Sequence, residues 1–450
     1  MPESLIERAL RTATDTKAIE AGRGVVSRTG EVFARLFPGR TAIIVADENH
    51  WRVAGEQVVA SLTAAGVPQA EPYIFPGTPT LYASYENIET LRDAIADVDA
   101  VVVAVASGTL NDIAKRAVSE LGRPYICVGT AASMDGYASF GASITKDGFK
   151  QTLSCPAPAA VVADLDIMAG APQRLTATGF GDLIEKVPAG GDWIISDELG
   201  IERIDPAVWD LVQGPLRDAL SDPQGCKDGD PDALSGLAEG LIMSGLAMQA
   251  FASSRPASGG GHHFSHLWEM EHYGLDWDPP LSHGFKVGLG TVSVAALYEV
   301  VLAKDIPAMI DIDAAVAAWP SWEETEAKLR AALTPDLHEA ALAQTKGKYI
   351  DADALRARLQ LTVERWPSIS ARLRDQLLPA KVLQEKLDVV GAITHPDQIG
   401  MDRDRFRDTY HRARWIRARY VLTDLLTEAN IIDPLVDELF EPGGYWAERF

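Results

Sequence analysis

Residues 99–122 read DAVVVAVASGTLNDIAKRAVSELG, and this stretch decides the fold. Residues 99–109 contain a valine-rich apolar run, which is typical of a strand covered on both faces. Residues 111–122 then carry apolar side chains at helical spacing and end on Gly122. A buried strand that leads directly into a helix is the repeating unit of a parallel sheet, so this stretch predicts an α/β fold.

The same alternation continues on both sides of this stretch. Apolar runs predict strands at 41–47, 71–77 and 123–130, and helical periodicity covers 51–66 and 87–98. Strands that alternate with helices of this length indicate a doubly wound, Rossmann-like parallel sheet.

Beyond about residue 165 the sequence becomes helical. Alanine- and leucine-rich helical patterns begin at 231–254, and amphipathic helices are predicted at 351–378 and 403–429. The length of the chain favours two domains. We expect a nucleotide-binding α/β domain over 1–165 and an all-α domain over 166–450, with the active site in the cleft between them.

Composition excludes several classes of protein. The chain has 41 Lys and Arg against 64 Asp and Glu, a formal net charge of −23, so nucleic acid and anionic membranes would be repelled. Its three cysteines form no C-x-x-C pair, and we find neither a signal peptide nor an apolar run long enough for a membrane span. We therefore expect a cytoplasmic protein whose partner is a small molecule.

Three histidines form the first chemical motif. His262 and His266 in GHHFSH are four residues apart, which puts them on one face of a helix with Glu269 near the same stripe. His283 follows in SHGFKV, which reads as a glycine-flanked turn. Imidazole is the commonest ligand of zinc and related ions, and catalytic sites use three protein ligands. Surface histidines, or histidines hydrogen-bonded between helices, are the alternative.

Two loops at strand ends form the second motif. The loop ASGTLND (106–112) joins a predicted strand to a helix, and TAASMDG (130–136) follows the next strand. Helix N-termini bind diphosphates, and open α/β sheets bind ligands at their carboxyl edge. Asp47 closes the first strand, where it could accept from a ribose hydroxyl or cap a helix. The loops lack G-x-G-x-x-G, so ordinary strand–helix turns remain the alternative.

Asp182 stands in GFGDLIEK (179–186), ahead of a stretch that reads as helical. A helix N-cap is the simple interpretation of an aspartate in this position. Spacing alone does not connect it to histidines some 80 residues further along the chain.

Ordered motifs over most of the chain make it resemble the sn-glycerol-1-phosphate dehydrogenases, and the bacterial members most of all. These enzymes belong to a superfamily with glycerol dehydrogenases, iron-containing alcohol dehydrogenases and dehydroquinate synthases. The resemblance is carried by ASGTLND (106–112), TAASMDGYAS (130–139), GFGDLIEK (179–186), RPASGGGHHFSHLWE (255–269), SHGFKVGLGT (282–291), QLLP (376–379) and residues 399–426.

This resemblance implies an oxidoreductase that binds NAD or NADP in the first domain and one divalent metal, zinc or nickel rather than iron, in the second. The implied metal ligands are Asp182, His262 and His283. Substrate contacts fall on Asp135, Asp182 and His266, of which Asp135 and His266 are the catalytic candidates. The implied cofactor contacts are Asp47, Ala106, Ser107, Gly108, Thr109, Leu110, Thr130, Ser133 and Ser139. A carboxylate at Asp47 would favour NAD, because it repels a 2′-phosphate.

The implied reaction is the reversible reduction of dihydroxyacetone phosphate to sn-glycerol 1-phosphate, in which the metal acts as a Lewis acid. The resemblance also implies that the protein is a homo-oligomer. Lys186 and Lys286 flank the metal motifs and are candidates for the phosphate contact, with surface lysines as the alternative. The chain departs from the family at Ala106 and Gly261, where glycine and glutamate are usual.

Three rival functions use the same features. A polyol or another sugar phosphate would be a different substrate of the same machinery. A cyclase of the dehydroquinate synthase type would use NAD only transiently. A metal- and nucleotide-binding regulator would have no activity.

Overall fold

The computed structural model describes residues 5–447 and contains one large parallel sheet. The strands are β1 (Ala18–Gly22), β2 (Ala42–Asp47), β3 (Tyr73–Phe75), β4 (Val101–Ala106), β5 (Tyr125–Gly129), β6 (Ala142–Lys146), β7 (Phe149–Leu153) and β8 (Ala160–Asp164). Six of them are parallel in the order β1-β8-β5-β4-β2-β3, and β6 pairs with β7 as an antiparallel hairpin.

Helices make up most of the rest. Up to Ser254 they are α1 (Leu5–Leu10), α2 (Thr29–Leu36), α3 (Glu48–His50), α4 (Glu56–Ala64), α5 (Tyr85–Ile95), α6 (Gly108–Glu120), α7 (Leu165–Ala169), α8 (Gln173–Ile184), α9 (Lys186–Glu198), α10 (Pro206–Ala219), α11 (Pro223–Asp228) and α12 (Pro231–Phe251). From Arg255 on they are α13 (Gly260–Met270), α14 (His283–Leu302), α15 (Ile306–Met309), α16 (Ile312–Ala318), α17 (Trp322–Ala332), α18 (His338–Lys346), α19 (Ala352–Gln376), α20 (Ala380–Val390), α21 (Arg403–Arg412), α22 (Leu422–Glu428) and α23 (Ile432–Phe440).

The predicted fold class is confirmed at the centre of the sheet. Every residue of β4 is buried, and β4 pairs with β2 on one side and β5 on the other. A strand between two parallel neighbours, with both faces covered, needs apolar side chains at every position. This explains why the valine run was readable as a strand.

Two strands of the sheet and the hairpin were not predicted. β1 is an edge strand that pairs only with β8 and carries Glu20, whose carboxylate lies 2.6 Å from Arg28. An edge strand tolerates such polar residues because one of its sides is solvated. β8 has the length of β5 and is likewise buried at every position, although no strand was predicted there.

The strand order reverses between β2 and β4. β2 is followed by β3 on one side of it, whereas β4 is followed by β5 on the other side. The loops after β2 and β4 therefore run in opposite directions and leave a crevice between the carboxyl ends of these two strands. Such a switch point is where open α/β sheets bind their ligands.

The chain forms two compact units. The first comprises residues up to Leu183 together with Ala207–Ser254, and the second comprises Ile184–Pro206 together with the residues from Arg255 on. All strands lie in the first unit, and the second unit is helical throughout the described part of the chain. The assignment of cofactor binding to 1–165 and of metal and substrate binding to 166–450 stays a prediction.

Two helices are long and apolar enough to cross a membrane by length and composition, α12 in the first unit and α14 in the second. In their most apolar stretches, however, 72% and 78% of the residues are buried inside the protein. Core helices of soluble proteins have the same composition, so burial accounts for these two helices.

Residues 403–429 do not form the single helix that the periodicity predicts. α21 ends at Arg412, a 3₁₀ turn follows over Ala413–Ile416, and α22 begins only at Leu422. Arg417 has extended backbone, with φ −144° and ψ 142°. The segment between the turn and α22 is therefore a break in the helix.

Long-range hydrogen bonds compensate for the break. Lys348 Nζ donates to the carbonyl of Arg414 at 2.5 Å, and Arg255 Nη1 donates to the carbonyl of Tyr420 at 3.0 Å. These side chains satisfy carbonyl groups that a continuous helix would have used itself. A local helical pattern contains no information about such donors.

Candidate functional site

The predicted histidines lie on α13 and α14, which cross closely within the second unit. A Cβ atom on Gly290 would stand 2.4 Å from the carbonyl oxygen of Gly261, so only glycine fits at that position. A Cβ atom on Gly261 would stand 2.9 Å from Glu185 Cγ and 3.1 Å from the Thr291 nitrogen. The departure from the family at Gly261 therefore coincides with a tight helix crossing.

Three imidazole rings meet at this crossing. The ring centroids of His262 and His283 are 5.4 Å apart, those of His266 and His283 5.5 Å, and those of His262 and His266 5.8 Å. His262 and His266 lie on one helix, as the spacing predicted. His283 begins α14 with Ser282 as its N-cap, so its interpretation as a turn residue was wrong.

Two of the three rings turn the same nitrogen toward a carboxylate. His283 Nδ1 hydrogen-bonds to Glu269 Oε1 at 3.0 Å, and His262 Nδ1 lies 3.0 Å from Glu185 Oε2. Because a carboxylate can only accept, the hydrogen bond to Glu269 places the proton of His283 on Nδ1 and leaves the lone pair on Nε2. Metal-binding histidines are held in this way by a carboxylate behind the ring. The donor set thus fits a divalent metal.

The third ring is oriented differently. Arg417 Nη2 donates to His266 Nδ1 at 2.6 Å, and because arginine can only donate, this nitrogen carries the lone pair. The proton of neutral His266 is therefore on Nε2, and burial together with Arg417 lowers its pKa well below the ordinary value. His266, Glu269 and His283 do bring ligand atoms within 4.8 Å of one another. The tautomer nevertheless makes His266 a hydrogen-bond donor rather than a metal ligand.

A buried aspartate holds the start of α13. Asp192 accepts from the backbone nitrogens of Gly260 at 2.7 Å and Leu422 at 2.9 Å, and from the Tyr298 hydroxyl at 2.7 Å. Burial raises its pKa to about 6. Asp192 therefore fixes the helix that carries His262 relative to α9, α14 and α22.

Asp182 and Asp135 meet in the first unit. Asp182 lies in the last turn of α8, so its interpretation as an N-cap was wrong. The backbone nitrogen of Asp135 donates to Asp182 Oδ2 at 3.1 Å, and Ser244 Oγ donates to Asp135 Oδ2 at 2.9 Å. A Cβ atom on Gly179 would stand 2.0 Å from the carbonyl oxygen of Ala132, so this glycine lets α8 approach the 130–136 loop.

Asp47 and the loop after β4 meet at the switch point of the sheet. Asp47 caps α3 by accepting from the backbone nitrogens of Asn49 and His50, both at 2.8 Å. His50 Nδ1 lies 2.8 Å from Asp47 Oδ2, and the Ser107 backbone nitrogen donates to His50 Nε2 at 3.1 Å. Burial raises the pKa of Asp47, but these hydrogen bonds outweigh burial and the pKa ends below its ordinary value. His50 thus ties two predicted cofactor loops together.

The remaining predicted cofactor residues follow β4 and β5. Ala106 ends β4, Ser107 precedes α6, and Gly108, Thr109 and Leu110 form its first turn, with the Leu110 side chain fully buried. Thr130, Ser133 and Ser139 are buried in the segment after β5.

A lysine that the sequence did not single out organises this segment. Lys115 is fully buried on α6, and its ammonium donates to the carbonyls of Gly136 at 2.8 Å, Gly141 at 2.9 Å and Ser139 at 3.1 Å. The loop after β5 is therefore anchored to α6 from inside.

The two lysines predicted to contact phosphate belong to the second unit. Lys186 and Lys286 have 0% and 1% of their surface exposed, so the interpretation as surface lysines was wrong. Both interact with other residues of the protein.

The sequence offered no signal for Glu185, Arg417, His50 or Lys115. Glu185 stands three residues after Asp182, but its partner His262 is far away in the chain. Arg417 stands in a segment that periodicity assigned to a helix. A buried charge can be recognised only when its partners are known.

A family model described as iron-containing alcohol dehydrogenase matches residues 20–172. The glycerol-1-phosphate dehydrogenase [NAD(P)+] of Halalkalibacterium halodurans is 38% identical over 258 residues, which cover 57% of this chain and 64% of that protein. The chain thus spans less than two thirds of this relative. The enzyme of the same name from Bacillus licheniformis is 35% identical over 62% of this chain and 70% of that protein.

Solved structures share the fold. A probable glycerol dehydrogenase from Sinorhizobium meliloti superimposes with a TM-score of 0.60 at 16% identity, over 94% of this chain and 97% of that one. This similarity supports the two-domain architecture with an α/β part followed by a helical part.

Proposed function

Since the chain belongs to the glycerol-1-phosphate dehydrogenase family, we propose that it reduces dihydroxyacetone phosphate reversibly to sn-glycerol 1-phosphate, using NAD(P)H and one divalent metal. The observation that carries this proposal is the pair His262 and His283, each with Nδ1 turned toward a buried carboxylate. An imidazole whose Nδ1 donates to a carboxylate presents Nε2 as a ligand atom.

His262 and His283 would hold the metal through Nε2, and the resemblance adds Asp182 of the first unit as the third ligand. When bound, the metal supplies Lewis acidity toward the substrate oxygen, and the nicotinamide donates or accepts the hydride. Glu269 would keep His283 in the ligating tautomer, and Glu185 lies 3.0 Å from Nδ1 of His262. Zinc and nickel remain the preferred candidates, and the family name adds iron.

His266 would act on the substrate without binding the metal. Arg417 donates to its Nδ1, so Nε2–H is the group that it offers. A hydrogen bond from Nε2–H to a substrate oxygen orients the substrate and stabilises negative charge on that oxygen. Asp135, whose position Ser244 and Asp182 fix, would accept from a substrate hydroxyl.

The cofactor would bind at the switch point of the sheet. The N-terminus of α6, which begins at Gly108, offers backbone N–H groups to the diphosphate. Asp47 would accept from the ribose, with Thr130, Ser133 and Ser139 along the neighbouring loop. Cytoplasmic location and a homo-oligomeric state stay predictions.

The test is metal-dependent turnover. The purified protein is stripped with a chelator and assayed for NADH and NADPH oxidation with dihydroxyacetone phosphate, while zinc, nickel or iron is added back. We expect activity to disappear with the metal and to return with at least one of the three ions. Activity that persists in the stripped protein would contradict the proposed role of the histidines.

Two further outcomes separate the rivals. Unphosphorylated glycerol oxidised as fast as sn-glycerol 1-phosphate would identify a polyol dehydrogenase. Substrate consumption without net change in nicotinamide absorbance would identify a cyclase, because a synthase returns its cofactor to the starting oxidation state.

A further inference from the structure

The break between α21 and α22 carries two arginines toward α13. Arg417 Nη2 donates to His266 Nδ1 at 2.6 Å, and Arg419 Nη1 donates to Ser258 Oγ, also at 2.6 Å. Ser258 lies two residues before the start of α13, the helix of His262 and His266. A continuous helix over 403–429 would not hold both guanidinium groups in this extended arrangement, so the break itself brings them here.

Three neighbouring cations each have a carboxylate. Arg255 Nε lies 3.2 Å from Glu202, and both Lys348 and Arg414 lie 2.9 Å from Asp424. Arg417 differs. Within residues 5–447 no carboxylate lies within 4.0 Å of its guanidinium, and the group that it contacts is the imidazole of His266.

A buried histidine, His263, lies near these cations. Its ring is 99% buried, and neither ring nitrogen has a hydrogen-bond partner among the described residues. Lys348, Arg419, Arg417 and Arg255 are close enough to this ring to interact with it electrostatically.

Burial weakens the charged state of both arginines. It lowers the pKa of Arg417 to about 10, although Glu269 opposes the shift, and it lowers the pKa of Arg419 to about 9 with a contribution from Arg255. A buried charge costs free energy unless an opposite charge accompanies it. For Arg417, a bound dianion would supply that charge.

We infer that Arg417, with Arg419 beside it, binds the phosphate of the substrate, and that this subsite selects phosphorylated over unphosphorylated three-carbon substrates. The inference rests on the proposed function and names the group that recognises its substrate. A guanidinium offers two parallel N–H donors to two phosphate oxygens, which an ammonium cannot do.

The position of the subsite suits a short substrate. Arg417 contacts the His266 ring, whose centroid is 5.8 Å from that of His262 and 5.5 Å from that of His283. A phosphate on Arg417 would therefore sit one side chain away from the proposed metal ligands. Lys186 and Lys286, the candidates from the sequence, are fully buried and already interact with other residues.

The first test compares substrates. Arg417→Gln and Arg417→Lys are assayed with dihydroxyacetone phosphate and with unphosphorylated dihydroxyacetone, and Arg407→Gln serves as control because Arg407 pairs with Asp437 on the partly exposed face of α21. We expect the ratio of the two kcat/KM values to fall about 30-fold or more in Arg417→Gln, less in Arg417→Lys, and not in Arg407→Gln.

The outcomes are distinguishable. An equal loss on both substrates would show that Arg417 only positions His266, and would overturn the phosphate subsite while leaving the proposed function intact. If the wild-type protein turns over neither dihydroxyacetone phosphate nor sn-glycerol 1-phosphate, the proposed function itself is overturned.

The second test needs no turnover. Inorganic phosphate is titrated against the purified protein, and the rise in Tm that accompanies binding to the folded state is recorded. We expect a concentration-dependent rise in the wild type and in Arg407→Gln, and its loss in Arg417→Gln and Arg419→Gln. The same rise in all four proteins would overturn the assignment.

Discussion

Buried polar groups have opposite roles at two places in the molecule. One is the sheet edge, which is formed by the carboxyl ends of the strands in the first unit, and the other is the crossing of α13 and α14 in the second unit. At the sheet edge, Asp47 is satisfied by backbone and side-chain donors, and Lys115 is satisfied by three carbonyls. At the helix crossing, His263 has no hydrogen-bond partner among the described residues, and Arg417 has no carboxylate there.

This difference distinguishes residues that fix the conformation of loops from residues that would contact a ligand. Internal hydrogen bonds at the sheet edge fix the course of the loops, and their backbone N–H groups are then available to a ligand. At the crossing, polar side chains lack partners within the described part of the protein. Their burial costs free energy until a ligand supplies the missing partners. Substitutions in the two regions should therefore lose different properties.

The largest effect is expected at the crossing. His262→Ala removes one proposed ligand, and we expect kcat to fall by about 10³-fold or more, because the metal contributes several kcal/mol to the transition state. Metal content by mass spectrometry should fall in parallel, whereas NADH binding by fluorescence should be retained. His411→Ala, on a partly exposed histidine of α21, is the control. Full metal content in His262→Ala would contradict the assignment.

The next effect belongs to the sheet edge and should appear as stability instead of chemistry. Lys115→Met leaves three buried carbonyls without their donor and Asp112 without the ammonium 3.7 Å away. We expect the free energy of unfolding to fall by about 3 kcal/mol. Urea denaturation measures it, with exposed Lys17→Met as control. An unchanged midpoint would mean that the loop after β5 is not held from inside.

The same contrast explains which parts could be predicted from sequence. β4 and β5 were readable because strands buried on both faces need continuous apolar side chains. β1 was not predicted as a strand because its position at the edge of the sheet tolerates the charged residue Glu20, which interrupts the apolar pattern. The pair His262 and His266 was visible from helical spacing. The join with Asp182 came from family resemblance and not from spacing.

The rest depends on contacts distant in sequence. The break at 417–421 is stabilised by Lys348 and Arg255, which are far from it in the chain. Nothing in the local pattern of 403–429 reveals these donors. Similarly, Glu185 acquires its role only because α13 packs against it at Gly261.

A moderate effect is expected from the carboxylate behind His283. Glu269→Gln keeps the shape but replaces the carboxylate by an amide, whose oxygen is a weaker acceptor and whose NH₂ can also donate to Nδ1, so the tautomer with Nε2 unprotonated loses support. We expect metal affinity to fall about 10- to 100-fold. Competition with a chromophoric chelator measures it, and kcat at saturating metal should change less. Glu326→Gln, on a surface ion pair with Arg330, is the matched control. Equal affinity in both variants would argue against metal binding at His283.

The smallest effect distinguishes the two roles of Asp47. Asp47→Ser keeps a side-chain oxygen that can cap α3, so the free energy of unfolding should fall by no more than about 1 kcal/mol. The substitution removes the negative charge that would face the ribose in the proposed complex, and a carboxylate there disfavours a 2′-phosphate. We therefore expect the kcat/KM for NADPH to rise a few-fold relative to that for NADH. Asp166→Ser, on an exposed residue of α7, controls for loss of surface charge. A cofactor preference that does not move, combined with the small loss of stability, would assign Asp47 to the cap alone and would make the sheet edge purely structural at this position.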